Sequence, residues 1–167
     1  MSISIEQKYH GAVFKELFEA ISSVSKDIFF RIVPTNVSRS GYVVEVIKPN
    51  LEKETLRIGL YIKHCKSRRT PWRFTFKNVH QLEMRKLKDE CDEMFLVLIP
   101  NDDGIACIDY QMLKEILDEN YEETEWVSLT RKPKQSYRIA GKDGKMETTL
   151  AKKTFPIIIT NYIEQSV

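Results

Sequence analysis

The residues of this chain best suited to chemistry are cations. The run Lys63-His64-Cys65-Lys66-Ser67-Arg68-Arg69 is followed closely by Trp72 and Arg73, with Lys77 beyond. Lysine and arginine neutralise phosphates, and a neighbouring aromatic ring can stack on a base or take a cation over its face. Lys63, Lys66, Arg68, Arg69, Arg73 and Lys77 are therefore the candidate nucleic-acid-binding residues. The alternative is a solvated loop whose charges pair with the chain's own acidic segment. The formal net charge of +2 conceals such a segment. Residues 51–88 carry 11 basic and 3 acidic side chains, residues 89–125 carry 1 and 13, and residues 126–153 carry 8 and 2. Blocks of this kind create strong local fields, and opposite patches suit a protein partner or a second copy as readily as DNA or RNA.

Other chemistries find little support in the residue pattern. Neither G-x-x-x-x-G-K-[ST] nor G-x-G-x-x-G occurs among the 6 glycines, so no phosphate-cradling loop is present. His64, Cys65, His80, Cys91 and Cys107 form no C-x-x-C or H-x-x-x-H pair, which argues against zinc. No G-x-S-x-G elbow is found, and only His10, His64 and His80 could act as a base for a nucleophile. Asp102-Asp103-Gly104 lies between two apolar runs, where hairpin-turn duty is expected. The acidic stretch from Glu115 to Glu125 is expected to be a solvated helix end and loop.

The elements that must position the cations follow from hydrophobic period. Ser4 and Gln7 have capping-box spacing, and Val13, Leu17, Ala20, Ile21 and Val24 recur at helical intervals. Three strands follow, at Ile28–Val33, Tyr42–Ile47 and Leu56–Ile62, then a short alternating strand at Trp72–Phe76. A second helix is expected over about 79–91 with Asn78 as its N-cap. Met94–Ile99 is unbroken in its apolar character, so it should be the most buried strand, covered on both faces. Ile105–Ile108 closes a hairpin with it, and a third helix begins after Asp109. The last third reads as an antiparallel β meander: Trp126–Leu129, Ser136–Ala140, Met146–Leu150 and Phe155–Ile159. Alternation with Phe74 and Phe76 assigns Trp72 to the core.

The order helix, three strands, helix, strand resembles the core of the PD-(D/E)xK, or restriction-endonuclease-like, nuclease superfamily. That family places an acid on the second strand and acid-x-Lys on the third. The resemblance spans roughly residues 7–100 and implies catalytic roles for Glu45 and Lys63. It also implies a Mg2+ or Mn2+ ion held by Glu45 with Glu16 or Glu19 of the first helix. Tyr61 stands where the family has Asp or Glu, and Asn50 where Asp would follow the Pro. Both departures remove a charged ligand, so the resemblance implies a divergent or inactive metal-dependent nuclease.

Length and composition complete the expectation. With 167 residues, 42% hydrophobic and 30% charged, the chain has the make-up of one α+β domain. Within it, residues 1–100 would form the endonuclease-like core and residues 101–167 a hairpin, helix and β-meander extension. Cys65, Cys91 and Cys107 form an odd, unpaired set, and no secretory leader or membrane-length apolar run is visible; a cytoplasmic location is expected. The functional expectation is nucleic-acid binding through the 63–77 region and the basic 131–145 hairpins on a nuclease-like core, and the alternative is a protein-interaction or assembly module.

Overall fold

The computed structural model describes residues 1–49, 55–120 and 123–166; Asn50, where the nuclease motif would end its second strand, lies outside the described residues. The elements in chain order are α1 (Ile5–Val24), β1 (Phe29–Pro34), β2 (Gly41–Ile47), β3 (Leu56–Cys65) and β4 (Trp72–Phe76). They continue as α2 (Asn78–Glu90), β5 (Glu93–Pro100), β6 (Ala106–Asp109), α3 (Tyr110–Ile116), β7 (Glu125–Thr130), β8 (Arg138–Gly141), β9 (Gly144–Lys145) and α4 (Thr154–Gln165). The class is α+β. Among the described residues no helix is long and apolar enough to cross a membrane.

Two sheets share the strands. The first has the order β1-β2-β3-β5-β6, antiparallel throughout except for the parallel β3–β5 pair. The second has the order β4-β7-β8-β9 and is wholly antiparallel. The first sheet is apolar on both faces at its centre. Phe95, Val97 and Ile99 join Ile58, Leu60 and Ile62 against Val13, Leu17 and Ile21 of α1 and Ile159 and Ile163 of α4. Met94, Leu96 and Leu98 face the other way, into a core shared with Met84 and Leu87 of α2, Leu113 and Ile116 of α3, and Phe74, Val127 and Leu129 of the second sheet. Every residue from Met94 to Ile99 is 3% exposed or less, as the unbroken apolar run requires.

Local chemistry accounts for most boundaries. Ser4 Oγ accepts from Gln7 N–H at 3.1 Å while Gln7 Oε1 accepts from Ser4 N–H at 2.8 Å, closing the expected capping box. Asp109 caps α3 through the Met112 N–H at 2.8 Å. Helix α2 starts one residue earlier than expected: the N-cap is Lys77, Asn78 is its first helical residue, and His80 Nδ1 accepts the Lys77 N–H at 3.1 Å. In the β5–β6 hairpin the positive φ, 50°, falls on Asn101, and Gly104 has none.

The C-terminal third departs most from expectation. Of the segment expected as a strand, Phe155–Ile159, the residues after Phe155 are helical and belong to α4, while Phe155 keeps an extended backbone (φ −91°, ψ 132°) at a kink near the start of the helix. Phe155, Ile159 and Ile163 recur every four residues and bury together against α1 and β6, so tertiary packing overrides the β propensity of Ile157-Ile158-Ile159. Met146–Leu150 contributes only an isolated bridge from Leu150 to Tyr137. The meander is completed instead by β4, which leaves the first sheet to pair with β7. A boundary at residue 100 would cut through both sheets, since β6 belongs to the first and β4 to the second.

Leu96 is fully buried in the middle of β5. Its replacement by Ala should cost about 2 to 5 kcal/mol in denaturant unfolding, through lost transfer energy plus a cavity. The Arg68→Ala/Arg69→Ala double variant, which alters only exposed loop residues, should unfold within about 0.5 kcal/mol of wild type.

Candidate nucleic-acid interface

The basic run begins inside β3 and leaves the sheet at Cys65, beside the end of β5 at Pro100. Its loop, residues 66–71, is exposed along its length, yet its backbone is tied down. Asn101 Nδ2 donates to Lys66 O at 2.9 Å, Trp72 Nε1 to Ser67 O at 3.0 Å, and the Arg131 N–H to Thr70 Oγ1 at 3.2 Å. Trp72 itself is buried, as its alternation predicts, and spends its one polar group on fixing the loop. Lys66, Arg68 and Arg69 project from this scaffold, and no carboxylate among the described residues pairs with them.

The loop lies against the β7–β8 turn. Between them opens a polar cleft of about 490 Å³ lined by Thr70, Thr130, Lys132, Ser136 and Arg138, among others. The second sheet continues this surface. Its inner residues alternate into the core, so Arg73, Ser128, Ala140 and Lys145 form one outward row across all four strands. The Arg73 guanidinium carbon sits 4.7 Å from the centre of the Trp126 ring, leaving a cation and an aromatic surface side by side. Lys132, Arg138 and Lys145 fall within the basic 131–145 hairpins expected to take part, whereas Trp126 is not among the candidate residues. The alternation in Glu125-Trp126-Val127-Ser128-Leu129-Thr130 carries the signal for Trp126, because burying Val127 and Leu129 turns Trp126 outward.

Asp103 ties the β5–β6 hairpin to the β7–β8 turn. Its carboxylate accepts from Arg131 Nη2 at 2.6 Å and Nε at 2.9 Å, and from the Tyr137 hydroxyl at 2.6 Å, with Lys152 Nζ 3.6 Å away. The bidentate arginine, aided by Tyr137 and Lys152, holds the Asp103 pKa down at about 2 against the opposing effect of burial. The hairpin role foreseen for Asp102-Asp103-Gly104 thus includes an anchor for the β7–β8 turn. Arg131 is consumed by it, whereas Lys132 and Arg138 keep exposed heads.

The residues implied by the nuclease resemblance do not converge. Glu45 lies between Arg31 and Arg57 in direct cross-strand register and accepts from both, at 3.1 Å each. Lys63 lies six residues beyond Arg57 on β3, about 20 Å along the strand at roughly 3.3 Å per residue. It is half-buried, with its ammonium 5.2 Å from the centre of the Phe76 ring, and burial pushes its pKa down. Glu19 sits on the opposite side of the sheet, exposed on α1 and paired with Lys15 at 2.8 Å; Glu16 is likewise exposed. Glu45 and Glu19 therefore cannot share a Mg2+ or Mn2+ ion, and Glu45 and Lys63 cannot act on one phosphate. Tyr61 is buried and donates to Glu83 Oε2 of α2 at 2.6 Å, so the carboxylate nearest this part of β3 comes from a helix. Lys77, at the start of α2, is exposed at the end of β4 remote from the loop.

Charges at the other end of the sheet are already paired. Arg85 of α2 reaches Asp89 at 3.3 Å and Glu119 at 3.0 Å, and Lys88 reaches Glu93 at 3.9 Å. Glu93 starts β5 and Pro100 ends it, which separates this cluster from the basic loop by about 25 Å, well beyond the ~8 Å Debye length. Two of the three free thiols are poor nucleophiles, since Cys107 is fully buried and burial pushes Cys91 up to about 11; Cys65 is half-buried at the end of β3. A larger concavity, about 880 Å³, opens between α1 and the β1–β2 loop, where His10 Nδ1 and the Tyr42 hydroxyl lie 2.7 Å apart. Comparison with family models, curated proteins and solved structures finds no match.

The Asp103 anchor has a pH signature. Its folded pKa lies below the unfolded value near 4, so the stabilisation is present above pH 4 and disappears as pH falls toward 2. With its side chain 18% exposed, the expected contribution is on the order of 1 to 2 kcal/mol. Urea unfolding between pH 5 and pH 2.5 should show that loss in wild type and a correspondingly smaller one in Asp103→Asn.

Proposed function

We propose that this chain binds nucleic acid through the 66–71 loop, the adjoining cleft and the outward face of the second sheet, and that it does so without hydrolysis at Glu45 and Lys63. The observation that carries the proposal is a loop with a fixed backbone and unpaired cations. Lys66, Arg68 and Arg69 have no acidic partner among the described residues, while Lys132, Arg138 and the Arg73–Trp126 pair lie on the continuing surface. Preordered cations lose less entropy on meeting phosphates, and Trp126 adds a ring edge or face for an unpaired base. A half-buried aromatic on the outer, basic face of the sheet favours single-stranded over duplex nucleic acid.

A restriction-endonuclease-like scaffold turned to binding fits the antiparallel β1–β2–β3 run with β5 parallel to β3 across α2. Tyr61 in place of the acid, and the two arginines on Glu45, support the absence of metal-dependent cleavage there. Three free thiols accord with a reducing compartment such as the cytoplasm.

Fluorescence anisotropy with single-stranded DNA and RNA across a salt series tests the proposal. The affinity should fall linearly in log–log salt dependence, and Arg68→Ala/Arg69→Ala should reduce the slope by about 1.5 to 2 with an unchanged melting temperature. Trp126→Ala should weaken binding by about 1 to 3 kcal/mol while leaving the slope in place. Unaltered binding by the double arginine variant would overturn the proposal, and salt-insensitive capture of a protein or of a second copy would favour the assembly module instead.

Cleavage assays with Mg2+ and Mn2+ should show no activity that Glu45→Ala or Lys63→Ala removes. Robust cleavage abolished by either substitution would restore the catalytic role that the resemblance implies.

A further inference from the structure

The acidic block contains one arrangement that a solvated loop does not require. Asp118 follows the end of α3, Glu125 opens β7 and Asp143 sits in the β8–β9 turn. Each offers a carboxylate oxygen within 4.8 Å of the others. The trio is held by the backbone: the Asp143 N–H donates to Ile116 O at 3.1 Å, and Asp143 Oδ2 accepts the Asp118 N–H at 2.9 Å. The turn approaches α3 so closely that a Cβ on Gly141 would lie 2.2 Å from Ile116 O, and one on Gly144 2.2 Å from Glu115 O. Only glycine at these two positions lets Asp143 reach the end of the helix.

A second observation points to a ligand. Glu125 is 2% exposed, and its Oε2 is buried with no hydrogen-bond partner. Its other oxygen lies 3.9 Å from Lys142 Nζ, but that ammonium is directly bonded to the Glu123 carboxylate. Among the described residues this one lysine interacts with Glu123, Glu125 and Asp143. Burial and the carboxylates of Asp143 and Asp118 push the Glu125 pKa up, while Lys142 pulls it down. A buried carboxylate among two others is costly unless a cation or a proton compensates it.

We propose that Asp118, Glu125 and Asp143 form a binding site for a hard divalent cation, with Ca2+ as the best fit. The donor set is oxygen only, which suits Ca2+ or Mg2+ and excludes soft metals. Three carboxylates from three separate elements give a spread, irregular set, which the longer and more flexible Ca2+ coordination accepts more readily than the strict Mg2+ octahedron. Asp118 and Asp143 are exposed, so water can complete the shell on the solvent side. Bound there, the ion would cross-link α3, β7 and the β8–β9 turn, and so brace the second sheet.

Isothermal titration with Ca2+, Mg2+ and Mn2+ on the chelator-treated full chain, with thermal melts in parallel, tests this directly. Wild type should bind one Ca2+, with a melting temperature raised by roughly 5 to 10 °C at a hundredfold excess over Kd. Glu125→Gln should lower the Ca2+ affinity at least tenfold while melting no lower than wild type without metal, since carboxylate repulsion is relieved. Asp118→Asn, at an exposed position, reads the same loss should Glu125→Gln fail to fold. The proposal is overturned if none of the cations binds wild type, or if binding survives both substitutions. No metal effect combined with a higher melting temperature for Glu125→Gln would instead identify a carboxyl pair sharing a proton.

Discussion

The parallel pairing of β3 with β5 is the constraint on which the rest of the fold depends. β5 is apolar on both faces, and β3 is apolar on the face it turns to α1 with Tyr61 buried on the other, so each face must be covered to bring that surface out of water, at roughly 25 cal/mol per Å² of apolar area. Helices α1 and α4 cover one face, and α2, α3 and the second sheet cover the other. A parallel pair also demands that the chain return from the carboxyl end of β3 to the amino end of β5. Helix α2, 13 residues and about 20 Å long, makes most of that return. The basic loop is the first segment of the crossover, which is why it emerges at the carboxyl ends of the central strands.

The second consequence is electrostatic. Opposite charge blocks adjoining in sequence are pulled to opposite ends of β5 by the same crossover. Arg85 and Lys88 of α2 reach the acidic end and are neutralised there, while Lys66, Arg68 and Arg69 stay at the other end with no carboxylate partner among the described residues. Asp103, in the neighbouring hairpin, is occupied by Arg131, Tyr137 and Lys152 and forms no ion pair with them. Glu45 is likewise occupied: two cross-strand arginines hold it in a structural role.

Much of this was legible in the residue pattern, for identifiable reasons. The capping pair Ser4–Gln7, the Asp109 cap, the two-faced burial of Met94–Ile99 and the inward Trp72 depend on interactions within a few residues or on simple alternation. The exposure of Lys66, Arg68 and Arg69 follows equally directly, because a short connection carrying three cations has nowhere to bury them. Trp126 was also readable, since the period that buries Val127 and Leu129 leaves it outside.

What required the tertiary structure is everything set by register and by long-range pairing. Glu45 and Lys63 occupy strands of plausible order, but only the pairing of Glu45 with Arg57 reveals that they stand about 20 Å apart. The Ile157-Ile158-Ile159 run has strand propensity and becomes helix α4 because α1 and β6 present a surface that a four-residue repeat fits. The convergence of Asp118, Glu125 and Asp143, distant in sequence, rests on a glycine turn packed against the end of α3. Sequence alone determined which apolar residues are inside and which residues carry charge, because burial and solvation act on each side chain separately, whereas the burial of Glu125 came from the fold. Which charges meet was decided only by the fold, because a one-residue change of register or a different strand partner rearranges every such encounter.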